Sequence, residues 1–253
     1  MLLGIAIALM ATAIAVHLQK RLSFAYLPQK FVVKHLPDSD TLTIGIIGDS
    51  WVSYQKLDRF LHTALLQKGI TAKIISAGRD GARSKQILQW LMAEDGNAFN
   101  HLLQQQPQYC IVVAGINDAQ SYVGAQNYAH HMGLIVQLLH RYHIQPIIVA
   151  LPWFDTEAAQ KNIGRPRKWR NRICAQINHE SNNNIAAYRH ALSRQLQLQN
   201  ADWPVMQCSF DELCKDASGC KPYYSDALHL NAAGRALIAN LLANSLAKNL
   251  IRR

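Results

Sequence analysis

Thr43-Ile44-Gly45-Ile46-Ile47-Gly48-Asp49-Ser50-Trp51-Val52 is the stretch whose reading decides the fold. Its apolar run is too short for a helix and closes on a glycine, so it reads as a buried parallel strand that delivers Ser50 into a turn at its carboxyl end. Open α/β sheets place their chemistry at that edge. Gly48-Asp49-Ser50 alone is a weak signal, because all three residues are ordinary turn formers. Its meaning depends on the blocks downstream of it.

Three later stretches supply what a serine nucleophile needs. Ser76-Ala77-Gly78-Arg79-Asp80-Gly81 follows a second predicted strand, Ala72 to Ile75, and its glycines let a backbone N–H approach a reacting oxygen. Ala114-Gly115-Ile116-Asn117-Asp118 follows a third, Tyr109 to Val113, and offers an amide donor at the same edge. Ser225-Asp226-Ala227-Leu228-His229-Leu230-Asn231 sets a carboxylate three residues before an imidazole, just ahead of a helix. At that spacing Asp226 can hold one ring nitrogen of His229 while the other faces a hydroxyl.

In that order the four blocks resemble the SGNH branch of the GDSL hydrolases, from about Thr43 to the final helix. The resemblance implies an α/β fold: a three-layer α/β/α sandwich around a mainly parallel five-stranded sheet, flavodoxin-like in class. It implies Ser50 as nucleophile, His229 as general base and Asp226 as its orienting acid. The oxyanion hole would be the Ser50 and Gly81 N–H groups with the Asn117 side chain. Two positions depart from the family pattern: Ser76 stands where Asn is usual, and Trp51 replaces the usual Leu. No cofactor and no metal is expected. Asp49 and Asp118, neighbours of the proposed machinery, are assigned to holding loops through side-chain to backbone hydrogen bonds.

The chain has 253 residues, 49% hydrophobic and 17% charged, enough for one α/β domain with a large core. Its +10 formal charge favours anionic partners or surfaces. No zinc-finger, helix-turn-helix or RNP-like pattern supports nucleic acid as one of them. Met1 to Val16 is apolar and Ala-rich and is followed by His17, Lys20 and Arg21. As a helix it is about 24 Å long, so it reads as an N-terminal membrane anchor or signal peptide (1–21), with 22–40 a linker and 41–253 the hydrolase domain. The basic residues after it favour a cytoplasmic domain by the positive-inside rule.

Cysteine usage points the other way. Among five cysteines, a bridge between Cys214 and Cys220 would close a small loop around Ser218-Gly219, whereas zinc lacks a C-x-x-C pair. A bridge implies an oxidising compartment, the periplasmic side of a bacterial envelope. The arrangement is similar to SGNH domains fused to membrane acyltransferases, which raises such an acyltransferase as a partner.

Periodicity fills in the rest. Helices are predicted over 57–68, 84–92, 98–105 and Tyr122 to Tyr142, with a fourth strand from Gln145 to Leu151 and a fifth from Ile185 to Tyr188. Trp153 and Phe154 leave the fourth strand beside Ser50's edge and either line the substrate pocket or close the core. Arg79 either contacts a polar substrate or is solvated. Lys161 to Arg172 carries six Lys or Arg and no acid, read either as an anion-binding rim or as the wet face of a helix buried through Trp169, Ile173 and Ile177. His130-His131 reads as helix surface. The expected function is a serine esterase removing short acyl groups, O-acetyl first, from an envelope or capsular polysaccharide. O-acetyl transfer to such a glycan, lysophospholipase or thioesterase action, and glycan binding on a retired scaffold stand as alternatives.

Overall fold

The fold is described from a computed structural model, over residues 2–27, 41–161, 163–181, 184–199, 205–211 and 214–250. An N-terminal helix, α1 (Leu2–Leu22), precedes the sheet strands β1 (Thr43–Gly48), β2 (Lys73–Gly78), β3 (Tyr109–Val113), β4 (Gln145–Val149) and β5 (Met206–Cys208). All pair in parallel, in the order β2-β1-β3-β4-β5. β1 and β3 are almost wholly buried, as the Ile-rich runs require of strands covered on both faces.

Helices α2 (Ser50–Ser53) and α3 (Leu57–Leu66) follow β1; α4 (Ser84–Met92) and α5 (Ala98–Gln104) follow β2. After β3 come α6 (Ile116–Gln120) and α7 (Ala125–Arg141), and after β4 come α8 (Thr156–Lys161), α9 (Arg165–Ile177) and α10 (Ile185–Gln199). α11 (Ala217–Cys220), a 3₁₀ turn at Lys221–Tyr223 and α12 (Ala232–Leu250) complete the chain. α3 packs with α12, while α7 packs with α4 and α10, giving the expected three layers. The chain reverses direction across the sheet between β1 and β3, and the carboxyl ends at such a switch point form a crevice. Ser50 and Asn117 emerge there.

Two glycines seat α2 on that edge. A Cβ on Gly78 would lie 2.5 Å from Ser53 N, and one on Gly48 2.6 Å from Val113 O, so neither position has room for a side chain.

Several expectations are corrected. Ile185 to Tyr188 is the first turn of α10, not a strand: Ile185, Tyr188, Ala191, Leu192 and Leu196 are buried at helical spacing, a period hidden when four residues are read alone. The fifth strand is β5, three residues long and too short to leave a pattern. The helix predicted from Tyr122 begins at Ala125, because Tyr122 (φ 51°) and Gly124 (φ 97°) turn the backbone after α6. α9 buries Asn171 and Cys174 rather than Trp169 and Ile177, which are 56% and 52% exposed.

His131 is buried rather than on the surface. Its Nε2 accepts the Ala25 N–H at 3.1 Å, while His130 Nε2 lies 2.9 Å from Ala25 O. Burial drives the His131 pKa down to about 3, helped by His130 and Lys85. Ser23 to Leu27 thereby lie along α7, and most of the expected linker, residues 28–40, falls outside the described residues.

Candidate active site

Ser50 opens α2, so its N–H has no partner within the helix. Asp49 is the N-cap: its Oδ1 accepts the Trp51 N–H at 3.1 Å. Asp49 Oδ2 accepts from Asn117 Nδ2 at 3.2 Å, which fixes the amide and leaves the second N–H of that nitrogen to point elsewhere. Burial raises the Asp49 pKa to about 7 against the pull of these two bonds, and neighbouring Asp118 adds to the rise.

Asp118, also buried, accepts from the Ser84 N–H and from Ser84 Oγ at 2.6 Å. It ties the start of α4, and with it the Gly81 loop, to the end of β3. Burial raises its pKa to about 6, opposed by Ser84 and Arg83. Gly81 adopts φ 70°, in the left-handed region that favours glycine, and Ser53 Oγ donates to Asp80 beside it. Both acids thus hold loops, as expected.

His229 is carried by a short loop closed by the Tyr224–Leu230 bridge and by Ser225 N–H to His229 O at 2.8 Å. Asp226 Oδ1 accepts the backbone N–H groups of Leu228 and His229 at 2.8 and 2.9 Å. Its Oδ2 lies 2.8 Å from His229 Nδ1, and His229 Nε2 lies 3.2 Å from Ser50 Oγ. Partial burial pushes the Asp226 pKa up, but the hydrogen bonds from Leu228 and His229 hold it below the ordinary carboxylate range. Asn231 Oδ1 caps α12 by accepting the Gly234 N–H at 3.0 Å. An imidazole so placed can take a hydroxyl proton on Nε2 while the carboxylate stabilises the cation that forms.

Two supports of this loop leave little mark in the sequence. Trp51 is buried, and its Nε1–H donates to Leu228 O at 3.0 Å. Gln55, also buried, pairs both ways with the Leu230 backbone, at 2.6 and 3.2 Å. The departure of Trp51 from the family pattern is a partial signal for the first. Nothing local marks Gln55.

The tentative substrate residues separate. Phe154 is buried in the core yet also borders a cavity of about 610 Å³ that reaches Asp226 and is lined as well by Ala217 and Ser218 of the Cys214–Cys220 loop and by Lys221 just after it. That disulfide is formed. Trp153 is covered by the Arg189 guanidinium, 5.2 Å from its ring centroid, and Arg79 lies over Trp90 at 4.7 Å. Among the described residues no group of three His, Cys, Asp or Glu is placed to hold a metal ion.

Residues 46–237 match the GDSL-like lipase/acylhydrolase family. The chain belongs to that family. This GDSL hydrolase acts on carboxylic esters, and solved structures share its fold. An acetyl xylan esterase, AlAXEase, superposes with a TM-score of 0.58 at 15% identity, over 81% of this chain and 99% of that one. The psychrotrophic esterase EstA from Pseudoalteromonas sp. gives 0.56 at 16% identity, over 83% and 98%. A GDSL-like lipase from Bacteroides thetaiotaomicron gives 0.57 at 14%, over 84% and 91%. No curated protein sequence matches.

Proposed function

We propose that the protein is a serine esterase that removes short acyl groups, O-acetyl first, from a cell-envelope or capsular polysaccharide. The observation that carries this reading is the unbroken line Asp226 Oδ2 to His229 Nδ1 and His229 Nε2 to Ser50 Oγ, ending on a serine at the sheet's switch point. A serine hydroxyl is a weak nucleophile near neutral pH. His229 therefore takes its proton as Oγ attacks the ester carbonyl, then returns it to the leaving alkoxide. The oxyanion is met by the Ser50 and Gly81 N–H groups and the free N–H of the Asn117 amide. Water then attacks the acyl-serine, with His229 again as base, and the acid departs.

Exposure supports a large acyl carrier. The Asp226 side chain is 58% exposed and that of His229 29%, so the site opens to solvent rather than ending a tunnel. The neighbour named as an acetyl xylan esterase supports the reading of an acetylated glycan as substrate. α1, whose apolar residues Ile5, Ile7, Leu9, Met10 and Val16 are exposed, supports anchoring in a membrane, and the Cys214–Cys220 bridge supports its extracytoplasmic side.

The test is turnover of 4-nitrophenyl acetate, 4-nitrophenyl octanoate and acetylated xylan by the full chain in neutral detergent. Acetate and xylan esters should be cleaved in preference to octanoate, and Ser50→Ala should lower kcat at least about 10³-fold. Octanoate preference would move the substrate to lipids. Acetyl transfer to a sugar outpacing release to water would make the enzyme a transferase served by an acetyl-supplying membrane partner. Glycan bound without turnover would make it a binding module.

A further inference from the structure

Cations outnumber acids where α1 meets the domain. A cavity of about 540 Å³ lies between the end of α1, the start of α4 and α7, lined by His17, Lys20, Arg21, Arg83, Lys85 and His131. Its walls are fixed: Lys85 Nζ donates to Lys20 O at 2.6 Å and to Ser23 O at 2.8 Å, so the α1 end is held against α4 by its own carbonyls. Among the described residues, Asp118 is the one acid in the lining, and its oxygens accept from Ser84. Burial lowers the Arg83 pKa; Asp118 opposes that, while Arg170 and Arg167 of α9 stand close enough to repel its charge and add to the lowering.

Several donors here are left over. Arg21 Nε and Nη2, in the lining, are buried without a hydrogen-bond partner, and so is Nε of Arg170, which neighbours the lining without belonging to it. Buried guanidinium N–H groups that lack an acceptor are costly, and like charges brought together add to the cost. A multiply charged oxyanion answers both, since its oxygens accept several forked N–H pairs at once.

We propose that this cavity binds a phosphate group, the shared chemistry of phospholipid headgroups and free phosphate. Two observations favour the headgroup. The cavity is larger than a bare phosphate needs and has room for an attached glycerol. It also opens at the last, polar turns of a helix whose apolar residues, Ile5, Ile7, Leu9 and Met10, are exposed, so with that apolar part in the bilayer the cavity faces the headgroup region. The headgroup assignment rests on α1 entering a membrane; the phosphate site does not. Bound there, a lipid would fix the angle at which the domain sits on the bilayer, independently of the ester chemistry.

Full-length protein in neutral detergent, followed by native mass spectrometry and thermal melting, is presented with phosphatidylglycerol, phosphatidylcholine, inorganic phosphate and polygalacturonate. Phosphatidylglycerol should stay bound. Arg21→Gln should weaken it at least about tenfold, while Arg172→Gln, the same charge change on the exposed side of α9, should leave it intact. Ser50→Ala should bind the lipid as well as the parent while losing turnover, which separates this site from the proposed esterase centre. Lys20→Gln serves the same purpose if Arg21→Gln does not fold. Tight binding of inorganic phosphate with no retained lipid would keep the site and assign it to free phosphate. Binding of neither, preference for polygalacturonate, or equal loss in Arg172→Gln would overturn it.

Discussion

The stretch from Gly81 to Lys85 serves two regions that treat charge in opposite ways. On the sheet's carboxyl edge these acids are met by the protein itself: Asp226 accepts three hydrogen bonds, Asp49 two, and Asp118 is held by Ser84. A few residues further on, Arg83 and Lys85 enter a cavity where cations face one another and guanidinium donors go unanswered. Groups already paired can be aimed at a charge that exists only in a transition state, because no reorganisation is needed when it forms. Groups left unpaired are suited instead to a charge that arrives from outside and stays.

The sharpest way to break this contrast is to remove a preorganised donor. Asn117→Ala deletes the amide whose orientation Asp49 fixes, and it should raise the barrier by about 2.7–4 kcal/mol, or 10²–10³ in kcat, with KM for an acetyl ester little changed. Steady-state kinetics checks this. An unchanged kcat would mean that the Asp49–Asn117 pair is only a structural tie.

A smaller effect is expected from the support beneath the catalytic loop. Trp51→Leu restores the residue more usual in the family but removes the N–H bonded to Leu228 O and leaves space beside Phe210 and Tyr224. Urea unfolding should show a loss of about 2–4 kcal/mol. Because Leu228 adjoins His229, kcat should also fall, by about tenfold. If only stability falls, the loop is positioned by Gln55 and the Tyr224–Leu230 bridge alone.

Legibility in the sequence divides along the same line. Ser50, Asn117, Asp226 and His229 each lie in a short block whose spacing carries the geometry, since a strand end or a single turn fixes the side chain. β1, β3 and β4 are readable because a buried parallel strand is a continuous apolar run. Gln55 is not, because its partner is 175 residues away and a buried glutamine has no local signature. The fifth strand is misplaced from sequence because α10 begins with an Ile and a Tyr, residues that favour strands locally until the burial of Ala191 and Leu192 reveals the longer period. Arg167 and Arg170 look like a solvated face. Only the fold brings α1 and α4 up against them.

The two regions should also respond oppositely to pH. His131 has a pKa of about 3 in the fold against 6.5 ordinarily, so the unfolded or undocked chain binds its proton more readily. The stability it contributes is present above pH 6.5 and is lost as pH falls toward 3. Asp49 and Asp118 are raised from 3.8 to about 7 and about 6, so their proton is bound more tightly in the fold. What they contribute is complete below pH 3.8 and is lost as pH rises through 6 and 7. Hydrogen-exchange protection of the Ala25 amide, which donates to His131, should therefore decline on acidification from about pH 7 to 5, by at most about tenfold per pH unit. The Trp51 amide, which donates to Asp49, should become better protected over the same range or hold steady. His131→Gln should flatten the first trend and leave the second untouched. If both amides weaken together on acidification, the docking of Ser23 to Leu27 is coupled to the catalytic edge, and the two regions are one cooperative unit rather than two.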